Sequence, residues 1–493
     1  MRLTAKAGRP AGTGRGDRDA SVRDTFVGGS WILLADSLFI PASLLIAAFL
    51  TRRLGPSQYG LYVLAVAIAG WLEWTLSSIL SRAAVRQIAA SGDWRPAGAA
   101  ITRALLSLGG AAGVVLWMLA TPVAALLGDR DLAPLLRLSA PGLPLAGLVF
   151  AHRFVLVGLG RFHARAVAGA VRSIARLALV VLLVYAGLGA RGAVVATVIA
   201  VAFELAAARW YVRPAVGRVG PTPWRELGRM AGPLFLAGIC LRALERVDLV
   251  ALQAIGGNTA DTGTYGAAQN LALLPGFVIA AFTPVLLASV TRLAVAGRDA
   301  DASHVARQAL KGGLWLAPLG GAVAGAAPAL VVFLFGAPYA AAGPLLAILC
   351  LGSIAQVIVA VVSTLLAAID RIPASVAIVA PLVPLAIVAD WAAIPHFGMT
   401  GAAVVTASVW CIGAVLALVV LRRAMTVSLP RASVLRVAAI TAATAVLAAV
   451  LPGEGVLVIA RLAAVLGMAG AALVASGEIP FSTLRAVVES RSA

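Results

Sequence analysis

The chain has 493 residues, of which 61% are hydrophobic and 12% charged, a balance outside the range of soluble globular domains. Its net charge of +19 is spread over short segments between apolar blocks instead of forming one exposed face with aromatics for base stacking, which excludes a nucleic-acid binder. The blocks run to about 20 residues, enough for a helix to cross roughly 30 Å of hydrocarbon, and they do not alternate apolar with polar, which excludes a membrane barrel.

Residues 1–27 carry Arg2, Lys6, Arg9, Arg15, Arg18 and Arg23 among Gly and Asp and read as a basic, disordered cytoplasmic tail. The first block, Gly28 to Leu50, is too long for the apolar core of a signal peptide and reads as a retained first span. Further spans are predicted to begin near Leu61, Gly98, Leu135, His163, Ala193, Arg229, Tyr265, Leu310, Ala341, Pro373, Met399, Ser433 and Gly455, about fourteen in all. An even count puts both termini on one side. With that side inside, 29 of the 39 basic residues fall in inner segments, and only Arg52, Arg53, Arg130, Arg137 and Arg191 lie outside. The remaining five, Arg172, Arg176, Arg242, Arg246 and Arg461, fall within spans. The expected location is the inner (cytoplasmic) membrane, and most of the charge is explained by topology and by attraction to anionic lipid. Cys240, Cys350 and Cys411 all lie in apolar blocks, which gives no disulfide framework.

Three landmarks recur in the same order at nearly constant spacing. Tyr59-Gly60 matches Tyr265-Gly266, Gly160-Arg161 matches Asp370-Arg371, and Gly189-Ala-Arg-Gly192 matches Gly398-Met-Thr-Gly401. The fold class predicted is an all-α integral membrane protein of two six-helix lobes, 28–214 and 222–423, with a helix pair at 432–476 and a cytoplasmic tail at 477–493. Six is even, so the repeat is parallel and its pseudo-two-fold runs along the membrane normal.

The segments TRRLGPSQYGLYVLA, ERVDLVALQAIGGNTADTGTYGAAQNLALLPGF, FGAPYAAAGPLLAILCLGS and IPHFGMTGAAVVT resemble, in order and spacing, the polysaccharide flippase family of the multidrug/oligosaccharidyl-lipid/polysaccharide exporter superfamily. The resemblance covers roughly residues 24–423. It implies a MATE-like, V-shaped monomeric carrier that moves a polyprenyl-pyrophosphate-linked glycan to the outer leaflet by alternating access, beside polymerase and other assembly proteins.

A charge at mid-bilayer costs about 2.5 to 3.5 kcal/mol on insertion scales, so ionisable residues within spans are the candidate site. Arg242 and Arg246 are four apart and share a helix face, with Glu245 beside them and Asp248 turned away, and can hold a pyrophosphate. Their other reading is an ion-pair cluster with Glu245 and Asp248. Arg161, Arg165, Arg172 and Arg176 form one stripe on span five, and Arg176 lies about 20 Å along the helix from Arg161. Arg172 and Arg176 are read as cavity-facing anion binders, against pairing with Glu204. Asp36, Glu73, Glu204 and Asp390 are the candidates for coupling to a proton or Na+ gradient, with Asp36 opposite Arg242 or Arg246 as the first choice. An inside-negative potential already favours outward movement of an anion, so a returning cation is admissible but not required. The four histidines and most tryptophans read as interfacial.

No cofactor or metal is expected. The only lysines, Lys6 and Lys311, follow Ala5 and Leu310, so no Gly-Lys-Ser/Thr phosphate loop is present. No outer loop is large enough to carry an enzyme's catalytic residues. Two other functions stay open on the residues: a small-molecule cation antiporter of the same superfamily, which predicts a carboxylate-dominated site, and a noncatalytic scaffold of a glycan assembly complex.

Overall fold

The computed structural model describes residues 15–91, 93–214, 242–425, 427, 430–453 and 455–478. Its side chains are described from residue 41 on, except at 79, 82, 83, 90, 277, 278, 280, 281 and 284. Among the described residues there is no strand. The first lobe comprises α1 (Arg15–Ala90), α2 (Arg95–Leu126), α3 (Leu132–Ser139), α4 (Gly142–Gly158), α5 (Phe162–Leu183) and α6 (Gly189–Tyr211). The second comprises α7 (Val247–Gly256), α8 (Thr259–Ala272), α9 (Leu274–Val295), α10 (Asp299–Leu314), α11 (Ala317–Phe335), α12 (Ala342–Ala368), α13 (Ile372–Val379) and α14 (Leu382–Ala424). Helices α15 (Arg431–Val450) and α16 (Leu457–Ala475) follow.

Nine stretches of described helix are long and apolar enough to cross a membrane. Three of them are broken by glycines in non-helical conformation, at Gly55, Gly187 and Gly398, and so hold two crossings each. Val247–Gly256 and Val285–Val295 are apolar but shorter, so the crossings among the described residues are roughly consistent with the predicted fourteen. Helix α1 already starts at Arg15, inside the segment expected to be disordered. The physical reason is that extending a formed span costs little per residue, and Arg15, Asp19 and Arg23 follow at the favourable i,i+4 spacing. The predicted start of span seven, near Arg229, lies outside the described residues.

The repeat is written in the backbone. Gly189 (φ 56, ψ −140) and Gly398 (φ 53, ψ −134) share a conformation that side-chain-bearing residues avoid, and each turns a helical hairpin. In the first hairpin Arg161 donates to the carbonyl of Tyr211; in the second, Leu382 packs on Gly413. At the opposite membrane face Gly160 (φ 70) and Asp370 (φ 58) make the same turn. In both, the following arginine's N–H donates to a leucine carbonyl at 2.8 Å, Arg161 to Leu156 and Arg371 to Leu366. Asp is among the few residues besides Gly that tolerate this left-handed backbone.

The first landmark needs a correction. Helices α1 and α8 cross where a Cβ on Gly60 would overlap the Thr259 carbonyl, and one on Gly263 would overlap that of Pro56. The structural equivalence is therefore Gly60-Leu61-Tyr62 with Gly263-Thr264-Tyr265, not Tyr59-Gly60 with Tyr265-Gly266. Backbone contact at the crossing demands a glycine on both sides, and this outweighs the dipeptide identity.

We call outer the face that the charge asymmetry assigns to the outside. One apolar core runs through the first lobe and joins the second, including Leu64, Leu105 and Val155 of the first lobe with Tyr265, Tyr339 and Leu345 of the second. The inner halves of the second-lobe helices have a separate core, around Leu310, Val359, Leu365, Ile378 and Leu421. Helix α15 docks on α11 at Gly321 and Gly325, where a Cβ would overlap the carbonyls of Thr441 and Ala445. Exposed Trp117, Trp210 and Trp391 fit the expected aromatic belt.

Candidate functional site

Glycine breaks at the outer ends and Gly/Asp turns at the inner ends fix the rotation of each hairpin, and thereby aim the intramembrane charges at one another across α1, α4, α5 and α6. At the centre stands Glu204 of α6, fully buried, with Arg153 of α4 at 2.5 Å and Arg172 of α5 at 3.5 Å. Arg172 also reaches Glu73 of α1 at 3.4 Å. One helical turn further along α5, Arg176 donates to the hydroxyl of Tyr62 at 2.9 Å, and its Nε has no partner. The structure thus divides the expected pair. Arg172 has the carboxylate partner its structural reading required, whereas Arg176 is hydrogen-bonded to a neutral group.

In the second lobe the expectation of a common helix face for Arg242 and Arg246 fails. Helix stops at Leu244, a turn covers Glu245 and Arg246, and α7 begins at Val247, with Arg246 in a non-helical conformation (φ −139, ψ −2). The break separates the two arginines' partners. Arg242 pairs with Glu245 at 2.7 Å and lies over the ring of Trp74 from the first lobe, 5.4 Å from its centre. Arg246 donates to Gln269 of α8 at 2.7 Å. Glu245 also accepts from Gln356 of α12 at 3.2 Å.

Asp248 is buried behind this turn, where it accepts from Tyr265 at 2.6 Å, Thr406 at 2.8 Å, Gln269 at 3.0 Å and the backbone N–H of Leu249 at 2.7 Å. Asp390 of α14 is fully buried, and neither carboxylate oxygen has a hydrogen-bond partner. The coupling candidates therefore separate: Glu73 and Glu204 are paired with arginine, Asp390 is not, and the side chain of Asp36 lies outside the described residues.

Two contributors, Arg153 and Trp74, escape the sequence reading, and Asp248 enters it only as a partner of the two arginines, whereas it is bonded to Tyr265, Thr406 and Gln269. Arg153 was counted with the inner loop, because it stands only five residues before Gly158 at the end of α4; the adjacent His152, expected at the interface, is likewise buried, its Nδ1 2.7 Å from the Leu148 carbonyl. Polar residues inside the apolar run LAGLVFAHRFVLVG were the available signal. Trp74 is not singled out among tryptophans that mostly read as interfacial, yet its ring lies under Arg242.

Above the charges the outer ends are tied across the lobes. Besides the Gly60–Gly263 crossing, Thr259 donates to Asp129 at 2.6 Å and Gln253 to the Leu127 carbonyl at 3.0 Å. Asn270 donates to the Tyr59 hydroxyl at 3.1 Å, and Arg52 donates to the carbonyls of Phe333 and Leu334 at the end of α11. Tyr59 and Tyr339 meet edge to face, 6.0 Å between ring centres. Arg172, Arg176, Arg242 and Arg246 thus lie beneath a closed outer seam.

The fold has close counterparts among solved structures. The lipid II flippase MurJ in an inward closed conformation is similar with a TM-score of 0.73 and 15% identity, over 92% of this chain and 98% of that one. An inward-facing multidrug resistance MATE family transporter of the MOP superfamily gives 0.60 and 16%, over 83% and 95%. A MOP superfamily transporter from Pyrococcus furiosus, described by a binding pocket of reverse polarity, gives 0.56 and 16%, over 84% and 96%. No curated protein sequence matches the chain. The family model described as polysaccharide biosynthesis protein matches residues 27–287, more than half of the sequence and the whole arginine-bearing region described above, and the chain belongs to that family.

Proposed function

We propose that this multi-pass membrane protein is a flippase that carries a polyprenyl-pyrophosphate-linked oligosaccharide from the cytoplasmic to the outer leaflet of the inner membrane, for the synthesis of a surface polysaccharide such as an exopolysaccharide or O-antigen. The observation that carries this reading is Arg176, a guanidinium deep in the membrane whose hydrogen-bond partner is a tyrosine hydroxyl and whose Nε is unsatisfied. A cation left without a carboxylate in a low-dielectric setting is costly, and an anionic head group offsets that cost. Arg172, Arg242 and Arg246 extend the basic lining to both lobes. The family description and the fold shared with a lipid II flippase support the same reading.

The head group enters from the cytoplasmic side, the arginines take the pyrophosphate, and the outer seam opens as the inner ends close. Outward movement of negative charge gains about 2.3 kcal/mol per charge for each 100 mV of inside-negative potential. Asp390, buried with neither oxygen hydrogen-bonded, is the group we assign to a returning proton or Na+, so coupling sits in the second lobe. The carrier works as a monomer with both termini cytoplasmic, handing its product to polysaccharide polymerase and assembly proteins.

Transbilayer movement of a polyprenyl-pyrophosphate oligosaccharide in proteoliposomes tests the reading. The wild type is expected to move it, and Arg172→Ala/Arg176→Ala and Arg242→Ala/Arg246→Ala to lose most of that movement while still folding. A wild type that leaves the lipid in its original leaflet, under every imposed gradient, overturns the flippase assignment.

A further inference from the structure

Glu73 and Trp74 are neighbours on α1, and each covers one of the arginines just assigned to the substrate. Glu73 reaches Arg172 at 3.4 Å, and the ring of Trp74 lies under Arg242 at 5.4 Å. Successive residues on a helix point about 100° apart, so the dipeptide serves both walls at once, Glu73 the first lobe and Trp74 the second.

The two carboxylates on Arg172 are not equivalent. Glu204 is fully buried and held by Arg153 as well, so removing it leaves two arginines without their shared carboxylate. Glu73 keeps 19% of its side chain exposed, and its recorded ion pair is with Arg172, on a neighbouring helix. Glu204 is thus a fixed counter-ion, and Glu73 a releasable one. A carboxylate presents oxygens to a guanidinium much as a phosphate group does.

We propose that Glu73 is a tethered stand-in for the pyrophosphate. It occupies the anion position on Arg172 in the empty carrier, with Trp74 capping Arg242, and the incoming head group displaces both. The proposal rests on the flippase reading and makes Glu73 a positioning and specificity residue instead of a site for the coupling ion. A carboxylate on the same chain competes at a high effective concentration. Simple monovalent anions therefore do not load the carrier, whereas a pyrophosphate brings more charge and engages several arginines together. Displacement also frees the helix that holds Gly60 at the outer seam, so arrival of the substrate loosens the element that must move next.

The test is binding of geranylgeranyl pyrophosphate, with geranylgeraniol as the uncharged control, to the full chain in nanodiscs, read beside thermal unfolding. Glu73→Gln keeps the shape and removes the stand-in's charge; it is expected to bind the pyrophosphate lipid roughly 3- to 10-fold tighter than the wild type, as freed from a partly exposed ion pair, and to unfold at a lower temperature. Glu73→Asp, one methylene too short to reach Arg172, is expected to shift affinity the same way by less, and carries the test if the glutamine variant does not fold. Affinity that stays constant or falls along with stability overturns the stand-in and leaves the flippase reading intact. A wild type that binds both lipids alike overturns the flippase reading, and the stand-in with it.

Discussion

Without Arg153, Glu204 would keep one cation, Arg172 at 3.5 Å, in a site with no access to water. Arg153→Leu is therefore expected to cost about 3 kcal/mol, the low end for breaking a buried ion pair because Arg172 remains, measured as a drop in the thermal unfolding midpoint in detergent. Asp390 behaves in the opposite sense. Its carboxylate is buried with neither oxygen bonded, so Asp390→Leu is expected to raise the unfolding midpoint while removing the dependence of transport on an imposed ion gradient. Unchanged gradient dependence in that variant would move coupling elsewhere. At this scale the sequence was informative about which residues are costly and poor at pairing them. Arg172 and Glu204 lie 32 positions apart and meet because a glycine turn folds α5 back on α6. Arg246 leaves the face of Arg242 because the helix breaks between them, and nothing in the composition of LRALERVDLV announces that break.

Helix α11 carries Gly321 and Gly325 on one side, at the spacing of one helical turn, and α15 lies so close that a methyl group at either position would meet a backbone carbonyl. Between membrane helices, where lipid chains compete for apolar surface, such small-residue contacts are a main source of association. Gly325→Leu is expected to detach α15 and α16 from the lobe, seen as new protease cleavage near residues 425–431, while the closed outer seam persists. The elements themselves were legible in hydropathy, since a span's length and continuity are set by the bilayer. Their ends were not: α8 begins six residues before the predicted start of span eight, and its cap is Asn258, whose side chain accepts from the Ala260 N–H at 3.0 Å. A polar cap within a polar loop leaves no hydropathy edge to read.

In the whole molecule, the outer seam and the separate inner core of the second lobe describe a carrier closed on one side. Joining the lobes covalently at that seam is expected to stop transport without emptying the site. In an Asp129→Cys/Thr259→Cys variant, oxidation should abolish lipid movement, leave binding of geranylgeranyl pyrophosphate from the inner side in place, and be reversed by reductant, since the two side chains now touch at 2.6 Å. Continued transport after quantitative cross-linking would show that this seam does not open. The Gly60–Gly263 crossing has a further consequence. Pro56 and Gly60 contact Gly263 and Thr259 in a pattern that reads the same from either helix, as an isologous interface between two identical subunits does. At this crossing the chain is organised as a fused dimer would be, and the two helices keep this close approach only so long as a glycine stands on both sides.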